Sequence, residues 1–260
     1  MSATPYYQHV GDEMEVFQAA WKSQHAVMLK GPTGCGKTRF VEAMAALLGR
    51  PLITVSCHED LTAADLLGRH LLRGGETVWL DGPLTRALRQ GAVCYLDEIV
   101  EARADTTVAI HALTDHRREL HVERLGEVLV AGHEFMLVVS YNPGYQSVLK
   151  DLKPSTRQRM VSIELGFPPA QIELEVILRE TGVARNVAED LVRLAAAIRQ
   201  LDISGLPEVS STRSLIAAAD LMKAGLKPRT AVKTAMIGPL CDDYALTTSL
   251  TQIVETYIAP

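Results

Sequence analysis

Apolar positions fall in short continuous runs, separated by stretches of helical periodicity, through the first two-thirds of the chain. Ala26-Val27-Met28-Leu29-Lys30, Leu52 to Ser56, Ala92-Val93-Cys94-Tyr95-Leu96, Phe135 to Ser140 and Val161 to Leu165 each read as a buried strand. Glu13 to Ser23, Thr38 to Leu48 and Leu84 to Gln90 carry apolar residues at helical spacing, and the second of these stops at Gly49 with Pro51 beyond. Strands apolar on both faces belong to parallel sheets covered by helices on each side. The pattern therefore predicts an α/β domain with a five-stranded parallel sheet.

Two segments interrupt this rhythm. Residues 66–81, followed by Gly82-Pro83, carry Gly68 and Gly74-Gly75 around short apolar pieces and read as an inserted hairpin or loop. His121 to Ala131 reads as a second hairpin before the fourth strand. Gly166-Phe167-Pro168-Pro169 then breaks the pattern and predicts a domain boundary. The expected division is an α/β domain over residues 1–167 and a helical lid over 168–260. Ile172 to Glu180, Ala188 to Gln200, Thr212 to Ala224 and Pro228 to Ile237 are its amphipathic helices.

Composition narrows the function classes. A net charge of −5 argues against a protein that depends on nucleic acid. No apolar run approaches the roughly 18 residues that span a bilayer, and the start lacks a secretory signal, so the expected location is the cytoplasm without membrane insertion. Cys35, Cys57, Cys94 and Cys241 are widely separated, suggesting neither disulfides nor a zinc site. His111, His116 and His121 are five residues apart; on one helix that spacing turns successive side chains by about 140°, away from a common metal.

The strongest chemical signal is Gly31-Pro32-Thr33-Gly34-Cys35-Gly36-Lys37-Thr38, a G-x-x-x-x-G-K-T loop between a strand and a helix. Glycines let the backbone wrap until its N–H groups face a phosphate, and the helix N-terminus adds a favourable field. Lys37 would bridge the β- and γ-phosphates of ATP, and the Thr38 hydroxyl would complete a Mg2+ shell. Tyr95-Leu96-Asp97-Glu98 ends the third strand, where parallel sheets gather ligands. Asp97 would hold magnesium through water, and Glu98 would polarise a water for attack on the γ-phosphate.

In Ser140-Tyr141-Asn142-Pro143-Gly144, Asn142 could orient that water, besides starting the turn that Pro143-Gly144 makes. A transferring phosphoryl group also needs a cation, commonly arginine from a neighbouring subunit. Arg157 and Arg159 precede the fifth strand, and Arg213 opens a helix of the lid. As plain sequence, each reads first as a surface arginine. His9-Val10-Gly11 is the candidate for adenine contact.

These signals, in this order, resemble the AAA+ superfamily: Walker A, Walker B with its glutamate, sensor 1, arginine finger and sensor 2. The two inserts resemble the MoxR branch. Within it, the phosphate loop continuing into Arg39-Phe40, Tyr95 to Arg103, and Ser140-Tyr141-Asn142-Pro143-Gly144-Tyr145-Gln146 are similar to the CbbQ/NirQ/NorQ family. The resemblance implies a homo-oligomeric ring, usually a hexamer, with ATP at the subunit interfaces and Arg159 where the family's finger falls. It implies a partner with a von Willebrand factor A domain (CbbO-like) as adaptor to the target. The first expectation for that target is Rubisco blocked by sugar phosphates; the alternative is nitric oxide reductase. A nucleotide-gated scaffold that needs no turnover and a DNA-linked motor are the competing functions.

Overall fold

The computed structural model describes residues 5–143, 152–201, 209–240 and 242–259. Gly144, Tyr145, Gln146 and Cys241 lie outside the described residues. The chain divides into two compact units, Met1–Gly31 with Lys37–Leu165, and Pro32–Gly36 with Gly166–Pro260.

The first unit is built on a parallel sheet of β1 (Ala26–Lys30), β2 (Leu52–Ser56), β5 (Val93–Asp97), β8 (Met136–Tyr141) and β9 (Met160–Glu164), in the order β2-β5-β8-β1-β9. β8 and β5 are buried almost end to end because they occupy the middle of the sheet. Around it lie α1 (Glu13–Lys22), α2 (Lys37–Leu47), α3 (Ala63–Leu67) and α4 (Pro83–Gln90). Phe40 on α2 is fully buried, edge-on to Phe17 of α1 at 5.5 Å and tilted against Tyr7 at 5.1 Å. Burying such a ring stabilises by roughly 1.5–3 kcal/mol, which is how α1 and the chain before it are seated.

Both interruptions are antiparallel hairpins. β3 (Gly68–Arg73) pairs with β4 (Glu76–Asp81), turning at Gly74-Gly75. β6 (Glu119–Val122) pairs with β7 (Glu127–Val130), two residues earlier at its start than the expected 121–131. Arg89 of α4 reaches both, with Nε 3.1 Å from Asp81 and Nη2 2.7 Å from Glu127.

Three sequence expectations need correction. β5 is Val93–Asp97, shifted one residue from the run Ala92 to Leu96, because Ser56 of β2 pairs with Asp97 and keeps the acid inside the ladder. The histidines do not share a helix: His111 lies in a 3-10 turn, His116 in the following loop and His121 on β6. The helix expected over 228–237 splits into α10 (Pro228–Val232) and a π-helical turn (Lys233–Ile237), closed by Gly238 N–H to Lys233 O at 2.8 Å.

The region from Ala170 onward is helical: α7 (Ala170–Thr181), α8 (Arg185–Arg199), α9 (Thr212–Lys223), α10, the π turn and α11 (Tyr244–Tyr257). Two further short helices, α5 (Ala104–Ala109) and α6 (Pro154–Arg157), belong to the first unit. The helices after residue 170 share a separate core containing Ile177, Leu191, Leu215, Met236 and Val254.

Candidate active site

Chemistry-bearing side chains collect at the carboxyl ends of β1, β5 and β8. The loop after β1 is set by two glycines in the left-handed region, Gly34 at φ +72° and Gly36 at φ +101°. A Cβ at Gly36 would meet nothing, so its conformation alone calls for glycine. At Gly34 a Cβ would fall 2.5 Å from Ser211 Cβ, so this position is also closed by packing within the second unit. α2 opens at Lys37 immediately after the loop.

Lys37 is 8% exposed, a burial that an ammonium tolerates only with partners. It donates to Gly31 O at 2.9 Å and to Asn142 Oδ1 at 2.6 Å. Asn142, just past β8, donates through Nδ2 to Glu98 Oε1 at 3.3 Å. A hydrogen-bonded row therefore runs from the phosphate loop through Asn142 to Glu98.

Asp97 sits beside this row. Its Oδ2 accepts from Thr38 Oγ1 at 3.4 Å, and its Oδ1 accepts from Tyr95 OH at 2.6 Å and Ser140 Oγ at 2.5 Å. Burial and the neighbouring Asp97 charge push the Tyr95 phenol far above its ordinary range, so it serves as a neutral donor. Glu98 takes a left-handed conformation, φ 56° and ψ 48°, which costs a non-glycine residue about 1–2 kcal/mol. Its N–H donates to Ser140 Oγ at 3.0 Å, which helps hold the strained turn. Ser140 thus links Asp97 and Glu98. Sequence reasoning gave Tyr95 and Ser140 no role; the signal was the strand's period of two, which puts Tyr95 and Asp97 on one face.

The arginines lie elsewhere. Met160 of β9 pairs with Ala26 at the start of β1, so Arg157 and Arg159 sit at the amino end of the sheet. The phosphate loop follows Lys30, a β1 length of about 16 Å away at 3.3 Å per residue. Arg159 is exposed, donates to His111 O at 3.2 Å and lies 3.6 Å from Asp115 Oδ2. Arg117 beside Asp115 holds that carboxyl well below its ordinary range. His111 bonds Thr156 Oγ1 at 2.9 Å; burial, then the Arg159 charge, lowers its pKa.

In the second unit Arg213 is exposed in the first turn of α9, its Cβ 3.6 Å from the Cβ built on Gly34. The segment before it is fixed by Glu173, 1% exposed, which accepts from Arg199 Nη1 and Nη2 at 2.8 Å each and from Thr212 Oγ1 at 2.6 Å. Of the adenine candidates, Val10 and Gly11 give their N–H groups to Glu13 at 2.7 Å each.

The donor set suits a magnesium nucleotide. A left-handed glycine loop opening a helix, a buried lysine in that helix's first position and a hydroxyl–carboxylate pair supply an anion cradle and hard oxygen donors.

Comparison with known proteins gives the family. Residues 26–160 match the family described as AAA domain (dynein-related subfamily), and residues 173–257 match CbbQ/NirQ/NorQ C-terminal. Over 257 residues the chain is 56% identical to the denitrification regulatory protein NirQ of Pseudomonas aeruginosa, covering 99% of each chain. It is 59% identical to protein NorQ of Paracoccus denitrificans, covering 92% of this chain and 88% of that protein. It is 52% identical to protein CbbQ of Hydrogenophilus thermoluteolus, covering 98% and 96%. A mutant RuvB structure from Thermotoga maritima shares the fold at TM-score 0.59 and 16% identity, covering 98% of this chain and 74% of that one. No helix among the described residues is long and apolar enough to cross a membrane. The chain belongs to the CbbQ/NirQ/NorQ family of AAA+ ATPases.

Proposed function

We propose that the chain hydrolyses ATP with magnesium and uses the turnover to remodel a protein target. The observation that carries this reading is the row Lys37–Asn142–Glu98 beside the Thr38–Asp97 pair. The backbone from Gly31 through Pro32, Thr33, Gly34, Cys35 and Gly36 would wrap the phosphates, with Lys37 turned toward the terminal ones. Thr38 and Asp97 would hold magnesium, Asp97 through water. When bound, the metal would neutralise charge developing on the phosphate oxygens.

Glu98 is the group suited to take a proton from the attacking water, because its carboxylate stands exposed at the strand end. Asn142, already bonded to both Lys37 and Glu98, would fix the distance between phosphate and water. Arg159, at the far end of its own sheet, cannot serve the loop of its own chain and would be lent to a neighbour in a homo-oligomeric, hexameric ring. Arg157 would assist it, and Arg213 would read the nucleotide from the lid.

A von Willebrand factor A adaptor would deliver the target. We place the two targets in the opposite order to the one expected from sequence. Proteins named NirQ match at 56% and 52% and one named NorQ at 59%, beside 52% for CbbQ. Nitric oxide reductase becomes the first reading and inhibited Rubisco the second, which the near-complete CbbQ match keeps in play. Cytoplasmic location goes with either.

The test is reconstitution. The purified chain and its adaptor are incubated with Mg-ATP and either inactive nitric oxide reductase or sugar-phosphate-blocked Rubisco. Recovery of reductase activity alone is the expected result; recovery of Rubisco alone would reverse the order. ATP turnover with recovery of neither would overturn both targets.

A further inference from the structure

Tyr95 is fully buried in the central strand, yet its hydroxyl does not end in apolar surroundings. It donates to Asp97 Oδ1 at 2.6 Å, and Ser140 Oγ, arriving from β8, donates to the same oxygen at 2.5 Å. A carboxylate oxygen accepts about two hydrogen bonds, so these donors fill Oδ1. With one oxygen held from two strands, the carboxylate cannot rotate about its own axis without losing both bonds. The remaining oxygen, Oδ2, is thereby turned to Thr38 Oγ1, 3.4 Å away.

We propose that Tyr95, together with Ser140, is a positioning residue that aims Asp97 Oδ2 at the magnesium site. The inference rests on the reading of Thr38 and Asp97 as the metal-holding pair. A tyrosine whose only task was to fill the core would be replaceable by phenylalanine without consequence at the metal. Here the hydroxyl meets the one carboxylate on its face of the strand, two residues on, and does so within a central sheet position that fixes the ring. Partners of this kind orient metal-binding carboxylates in general, and their removal costs metal affinity rather than fold.

The experiment is a Mn2+ titration, followed by electron paramagnetic resonance, of the full chain saturated with ADP. Tyr95→Phe keeps the ring and removes only the donor; its Mn2+ Kd is expected to rise about 10-fold. Binding of ADP in EDTA should be unchanged. Ser140→Ala, which strips the same oxygen from the other strand, should shift the metal affinity in the same direction and supplies the test should Tyr95→Phe not fold. An unchanged Mn2+ affinity in both variants, or an equal loss of metal-free ADP binding, would overturn the proposal. Asp97→Ala is run alongside. If it too leaves Mn2+ binding intact, the metal-holding reading itself fails; if it alone weakens binding, that reading stands and only the role of Tyr95 falls.

Discussion

Lys37 donates to Asn142 Oδ1 across 2.6 Å, joining the loop that follows β1 to the end of β8. Asn142 spends its other polar atom on Glu98 Oε1, so one amide holds the distance between the Lys37 ammonium and the Glu98 carboxylate. Removing it should disturb turnover more than binding. Asn142→Ala is expected to lower kcat about 100-fold, with ADP affinity nearly unaltered by fluorescence titration. A matched loss of affinity and kcat would make Asn142 a binding residue instead.

Arg159 gives a prediction about partnership. In the proposed function it acts across a subunit interface, because β9 places it at the opposite end of β1 from Lys30, where its own phosphate loop begins. Arg159→Ala should reduce kcat by at least about 1,000-fold, and Arg157→Ala by less. Mixed with Glu98→Gln chains, it should regain activity, because some interfaces then combine an intact Glu98 with an intact Arg159. Verified mixed rings with no regained ATPase would contradict donation in trans.

Much of this architecture was readable in advance, for a physical reason. β1 and β2 were bounded to the residue because continuous apolar runs between polar breaks leave few alternatives. α11 was missed: its β-branched threonines and isoleucine weaken intrinsic helix propensity, and it is fixed instead by tertiary burial of Leu250 and Val254 and by the Asp243 cap. The phosphate loop and the acid pair were visible as motifs because their chemistry demands fixed spacing. The left-handed turn at Glu98 and the convergence of Tyr95 and Ser140 on Asp97 were not. Both depend on which strand lies beside which, and that pairing is non-local.

The buried ion pair of the helical second unit makes a stability prediction. Arg199 is clamped on Glu173 and also donates through Nε to Ser210 O at 2.8 Å, with Phe167 beneath its guanidinium at 4.1 Å. Breaking one partner leaves the other charge buried, so Arg199→Met should destabilise the protein by about 3–5 kcal/mol, seen in urea unfolding. Replacing Glu173 with leucine in the same chain should recover part of that loss. An unchanged midpoint for Arg199→Met would show that the pair contributes nothing.

Two thiols near the site should be inert. Burial, then the negative charges of Asp97 and Glu98, push Cys57 up to about 12, and burial does the same for Cys94. A raised thiol pKa keeps the group protonated at working pH, and the thiolate is the reactive form. At pH 8 neither cysteine should label with iodoacetamide in the native protein, while both label in denaturant, as mapped by mass spectrometry. Rapid native labelling of Cys57 would contradict the burial described here.

Steady-state ATP turnover of Glu98→Gln, measured beside its nucleotide binding, tests the central claim most directly. The carboxylate becomes an amide of the same size, so ATP should still bind with parental affinity while hydrolysis falls by about 100-fold or more. A variant that hydrolyses ATP at the parental rate would show that Glu98 does not activate the water, and with it the proposed catalytic arrangement would fail.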